Sequence, residues 1–77
     1  MYIVYTTENC EYCKAAKALL NSFHLEYTIV ILDTPEKKKD FKDRTGHKTV
    51  PQIYYESGGY LGGYDDLVEN LNRGKTP

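Results

Sequence analysis

Net charge, cysteines and long apolar runs are all scarce in this chain, and each scarcity excludes something. Ten basic residues against eleven acidic ones leave a formal charge of -1. A phosphate binder needs a clear positive excess, so no nucleic-acid partner is expected. The longest charge run, Lys37-Lys38-Lys39, lies between Glu36 and Asp40, the pattern of a solvated helix face. No stretch approaches the roughly 18 apolar residues that span a bilayer, so no membrane partner is expected. Met1-Tyr2-Ile3-Val4-Tyr5 lacks the basic and long apolar regions of a signal peptide. Small secreted domains compensate for thin cores with several disulfides, and this chain has only Cys10 and Cys13. A bond between them would close a tiny loop and staple nothing. The pair therefore reads as chemistry rather than framework, in a reducing, cytoplasmic setting.

The 77 residues suffice for one compact domain, expected to span 1–77. Tyr2 to Tyr5 are β-branched or aromatic and lead into polar Thr6-Thr7-Glu8-Asn9, a strand followed by a loop. From Glu11 the period changes: Cys13, Ala16, Leu20 and Phe23 recur at helical spacing, with Lys14, Lys17 and Asn21 on the other side. Glu26 to Leu32 is nearly continuous in β-branched and apolar residues, which predicts a strand buried on both faces. Asp33-Thr34-Pro35-Glu36 reads as a helix start, with Phe41 the one large apolar anchor and Gly46 the stop. Val50 to Tyr55 and Tyr60-Leu61, joined by Glu56-Ser57-Gly58-Gly59, read as a hairpin. Asp65 or Asp66 is placed to cap a last helix carrying Leu67, Val68 and Leu71, which Gly74 ends. The order β-α-β-α-β-β-α predicts an α/β fold: a four-stranded mixed sheet packed with three helices, the minimal thioredoxin-like core.

Cys10 falls where the first loop becomes a helix. Unpaired N–H groups and the helix dipole favour an anion there. Cys13 lies one turn on, on the same face. That arrangement makes Cys10 the nucleophile and Cys13 the resolving thiol of thiol–disulfide exchange. A zinc site would need two further ligands, and only His24 and His47 are candidates. His24 lies about 20 Å along the helix from Cys10, so no metal site is expected. His24 reads as a helix-terminal surface residue and His47 as an ordinary loop residue.

Three segments in order, Cys10-Glu11-Tyr12-Cys13, Thr49-Val50-Pro51-Gln52-Ile53 and Gly62-Gly63-Tyr64-Asp65-Asp66-Leu67, make the chain resemble a glutaredoxin over nearly its whole length, of the compact dithiol type of bacteria and their phages. The resemblance implies glutathione as co-substrate, with no tightly bound cofactor. Val50-Pro51 matches the family's cis-proline segment, where the Val50 backbone pairs with the glutathione cysteine. Gly63, Tyr64, Asp65 and Asp66 match the segment receiving the γ-glutamyl end: N–H groups for the carboxylate, Asp65 or Asp66 for the ammonium. Tyr12 would line the same groove, while Lys48 and Gln52, flanking Val50-Pro51, would meet the glycine carboxylate. The implied partners are glutathione and disulfide-bearing proteins, with ribonucleotide reductase among the suggested clients and a monomeric state expected. Two positions depart from the family. Glu11 replaces a common proline, and Thr7 replaces a common lysine or arginine. The acids Glu8 and Glu11 oppose a thiolate at Cys10. Two alternatives stay open: recharging by thioredoxin reductase, and, less favoured because Cys13 is present, a glutathione-ligated iron–sulfur cluster carrier.

Overall fold

A computed structural model describes residues 1–74. The element order is β1 (Tyr2–Thr6), α1 (Glu11–Ser22), β2 (Tyr27–Ile31), α2 (Pro35–Thr45), β3 (Gln52–Tyr55), β4 (Tyr60–Gly62) and α3 (Tyr64–Gly74). This is the predicted order. The four strands form one sheet in the order β2-β1-β3-β4, with β1 parallel to β2 and antiparallel to β3, and β3 antiparallel to β4. The mixed sheet of the thioredoxin-like core is thus present.

The register divides the side chains between two faces. Val4 opposes Ile53 and Ile29, and these point toward α1 and α3. Val4, Ala16, Leu20, Ile53, Leu67 and Leu71 make the buried core, with Leu19, Phe23 and Leu25 packed around it. Tyr5 points the other way and stacks on Phe41 of α2, ring centroids 4.6 Å apart. Phe41 is the one buried residue of α2, as its sequence predicts.

Local signals explain the helix ends. The Cys10 sulfur caps α1, and Thr34 caps α2 by accepting the Lys37 N–H at 3.1 Å. Pro35 occupies the first turn of α2, and Gly46 closes it with a left-handed φ of 81°. His24, at the surface as expected, takes φ 56° after α1. Its N–H bonds Asn21 and the Leu25 N–H bonds Leu20, each at 3.0 Å, a Schellman closure.

Two expectations are corrected. β2 is an edge strand rather than a doubly buried one, with Thr28 and Ile31 exposed. Its apolar run is real, but one edge has no neighbouring strand. α3 begins before the aspartates: neither occupies the cap position, which falls to Gly63. Asp66, three residues on, accepts the Gly63 N–H at 3.1 Å, the reciprocal half of a capping box. Gly62, at φ 139°, backs onto that carboxylate, and a Cβ there would run into it.

Candidate functional site

The turn from β1 into α1 places both cysteines. Cys10 is half-buried and Cys13 is buried, and both are free thiols. The Cys10 sulfur accepts the Cys13 N–H at 3.1 Å and its thiol donates to the Val50 carbonyl oxygen at 3.7 Å. The exposed end of α1 and the segment before β3 therefore meet at one sulfur. Burial, and then the hydrogen bond and charge of Cys10, push the Cys13 thiol up to about 12; the Thr7 backbone and Lys17 oppose the rise. Cys13 is thereby held protonated while its N–H serves Cys10. Glu11 is paired with Lys14 at 3.5 Å, a contact exposed enough to be weak.

The Val50–Pro51 bond is cis. Beside it runs an open groove of about 230 Å³, bounded by Tyr12 on α1, Thr49, Val50, Pro51 and Gln52 before and in β3, and Gly63, Tyr64, Asp65 and Asp66 at the start of α3. The structure thus brings nine of the sequence-selected residues together around one depression next to Cys10. The Tyr12 and Tyr64 rings meet at its edge, centroids 5.8 Å apart. The first helical bond of α3 runs from Leu67 N–H to the Gly63 carbonyl at 3.0 Å, so the N–H groups of residues 64–66 belong to the unsatisfied first turn. Lys48 does not line this groove. It lies across Val50, in a second hollow shared with Thr7, Leu32 and α2.

Gln52 lies in the groove wall, buried, with both amide hydrogens in use: Nε2 donates to the Thr49 carbonyl oxygen and to Thr49 Oγ1, at 3.1 and 3.2 Å. Its Oε1 accepts the Tyr60 hydroxyl. Gln52 and Tyr60 thereby hold the Thr49–Val50 backbone, a role the sequence does not announce for Tyr60. His47 is likewise more than a loop residue. Its Nε2 is 3.1 Å from the Tyr54 hydroxyl, and its ring stacks on Tyr60 at 4.6 Å. Among the described residues, no three His, Cys, Asp or Glu side chains gather as metal ligands.

Comparison with known proteins agrees with this geometry. The glutaredoxin family model matches residues 2–58. Glutaredoxin 3 of Escherichia coli K12 is 40% identical over 72 residues, 92% of this chain and 86% of that protein. The solution structure of a Brucella melitensis glutaredoxin superposes with a TM-score of 0.78 at 39% identity, covering 96% of this chain and 80% of the other. A crystal structure of the buckwheat glutaredoxin–glutathione complex gives 0.79 at 27% identity, with 96% and 70% covered. With a family model over most of its length, one sheet topology and these relatives, the chain belongs to the glutaredoxin family, and thiol–disulfide exchange is its chemistry.

Proposed function

We propose that this chain is a dithiol glutaredoxin that reduces protein disulfides and glutathione mixed disulfides and is recharged by glutathione. The observation that carries the proposal is the Cys10 sulfur held between the Cys13 N–H and the Val50 carbonyl oxygen, at the rim of the groove. Cys10 as thiolate attacks one sulfur of the substrate disulfide. A Cys10–substrate bond forms, the substrate S–S bond breaks, and the departing thiolate takes a proton from water. Cys10 then carries no charge and no thiol hydrogen. The two influences of Cys10 that raise Cys13 fall away, and the Cys13 thiol gives up its proton more readily. Its thiolate attacks Cys10, releases the second substrate thiol and leaves a Cys10–Cys13 disulfide. Two glutathione molecules reduce that bond and leave as glutathione disulfide.

In this reading glutathione lies along the groove. Its cysteine would pair with the Val50 backbone, and its γ-glutamyl carboxylate would take the free N–H groups at the start of α3. The ammonium would face Asp65 and Asp66. Tyr12 would cover the peptide, and Lys48 would meet the glycine carboxylate from across Val50, with Gln52 holding the backbone between. The buckwheat complex supports this reading. The whole chain then acts as one domain, monomeric and cytoplasmic, with ribonucleotide reductase among its clients and no nucleic-acid, membrane or cofactor partner. A second reading, recharging by thioredoxin reductase, rests on Thr7 and the acids Glu8 and Glu11 near Cys10.

Reduction of a small glutathione mixed disulfide with glutathione, glutathione reductase and NADPH separates the two. Strong turnover lost in Cys10→Ser establishes the proposed activity. Weak turnover by folded protein, with efficient reduction by thioredoxin reductase, supports the second reading instead.

A further inference from the structure

The larger hollow on the other side of Val50 has about 480 Å³ of space. Lys38, Lys39, Lys42 and Lys48 stand around it, over an apolar floor that includes Leu32 and Phe41. Among its described lining residues there is no acid. The pairing pattern of α2 makes this concentration of charge specific. Lys37 is paired with Asp33, Lys39 with Asp43 and Arg44 with Asp40, each at 2.9 Å. Lys38, Lys42 and Lys48 have no ion pair among the described residues. The cations turned to solvent are neutralised, while those facing the hollow, Lys39 excepted, are left open. Glu8 and Asp33 lie in the small adjoining depression that shares Lys38, and Asp33 is already held by Lys37.

Val50 lines both the hollow and the groove, and its carbonyl oxygen holds the Cys10 thiol. The reacting sulfur therefore sits between a cationic hollow and a groove edged by Asp65 and Asp66. A protein segment crossing Val50 with its half-cystine at Cys10 must lay the residues on one side of that cysteine over the lysines. We propose that the hollow selects protein clients: disulfides flanked on one side by an acidic segment, whose carboxylates meet Lys38 and Lys42 and whose apolar side chains rest near Phe41 and Leu32. The inference rests on the reading of Cys10 as the attacking thiol, and it is independent of glutathione as the reductant. Opposite charges across such a hollow raise the encounter rate and fix orientation, and salt weakens both effects.

The test uses the reduced full chain in single turnover, without glutathione. Two peptides differ only in three glutamates or three lysines beside one cysteine, which is joined by a disulfide to 2-thiopyridine. Cys10 attacks the peptide sulfur, and the pyridine thiolate leaves and takes a proton as pyridine-2-thione, so each rate is read by absorbance. The acidic peptide should react on the order of tenfold faster at low salt, and the preference should shrink as salt rises. The double variant Lys38→Glu/Lys42→Glu should lose or invert it. An uncharged 2-mercaptoethanol conjugate should react at an unchanged rate in both proteins, which also reports that the variant is folded. Equal rates for the two peptides in the wild type, or a preference that survives the double variant, overturns the proposal. Failure of even the uncharged conjugate overturns both this proposal and the role of Cys10. Failure of glutathione recharging with peptide selection intact overturns only glutathione as the reductant.

Discussion

The two faces of the sheet are built on different terms. Toward α1 and α3, six buried residues from four elements interlock around Val4 and Ile53. Toward α2, one phenylalanine stacks on Tyr5, and the rest of the helix between Pro35 and Thr45 is charged. The first face carries the stability of a small domain that has little apolar surface to bury. The second tolerates a hollow and unpaired lysines because little of the core depends on it. The Cys10 sulfur sits at the seam, where the end of α1 meets the segment before β3.

Substitution tests that difference most severely in the core. Leu20→Ala should cost about 2–5 kcal/mol and lower the midpoint of one cooperative denaturant transition. Phe41→Ala should instead release α2 locally, with faster amide hydrogen exchange across 35–45 and little change in the slowest amides of β1 and α1. Equal, global loss of protection in both variants would erase the contrast between the faces.

Gly62→Ala sharpens the account of the seam. Its φ of 139° and its closeness to Asp66 should make the variant less stable by about 1–3 kcal/mol, as read by thermal unfolding. An unchanged melting temperature would mean that β4 and α3 are not locked together as described.

The buried Cys13 gives the core face a pH dependence. Its native pKa, about 12, lies above the roughly 8.5 of an unfolded thiol. Between those values the unfolded chain ionises first and binds fewer protons, so the native state loses stability as pH rises. The slope contributed by this one group is at most about 1.4 kcal/mol per pH unit. Tyr2, Tyr54 and Tyr60, raised chiefly by burial, act in the same direction. The informative quantity is therefore the difference between wild type and Cys13→Ser, measured by denaturant unfolding from pH 8 to 11. The variant should fall less steeply, and parallel curves would contradict a buried, protonated Cys13.

The smallest effect is expected at Tyr60→Phe. Removing the hydroxyl should cost about 1 kcal/mol or less in stability while weakening the hold of Gln52 on Thr49. The kinetic signature is a raised KM for glutathione mixed disulfides at near-normal kcat. Unchanged kinetics would leave Tyr60 a packing residue only.

Where neighbours in the chain decide the outcome, the residues were legible. Thr34-Pro35 starts a helix and Gly46 stops it through capping and backbone preferences that act within one turn. The closeness of Cys10 and Cys13 was legible because a spacing of three puts both thiols on one face of a helix. The same reasoning misplaced β2, because the apolar run from Tyr27 to Leu32 is compatible with a central or an edge position. It also placed the caps of α3 on Asp65 or Asp66, since the use of Gly63 depends on how β4 delivers the chain. His47 looked ordinary because its partners Tyr54 and Tyr60 lie on other elements.

By itself the sequence determined the order of elements, the helix ends of α2, the dithiol and the family, since each follows from spacing, local backbone preference or motif. Tertiary structure alone decided which sulfur meets the Val50 carbonyl, that Gln52 faces Thr49 rather than open solvent, and that the lysines of α2 divide into paired and unpaired sets. Those outcomes depend on distances between segments tens of residues apart, which only packing across the sheet fixes.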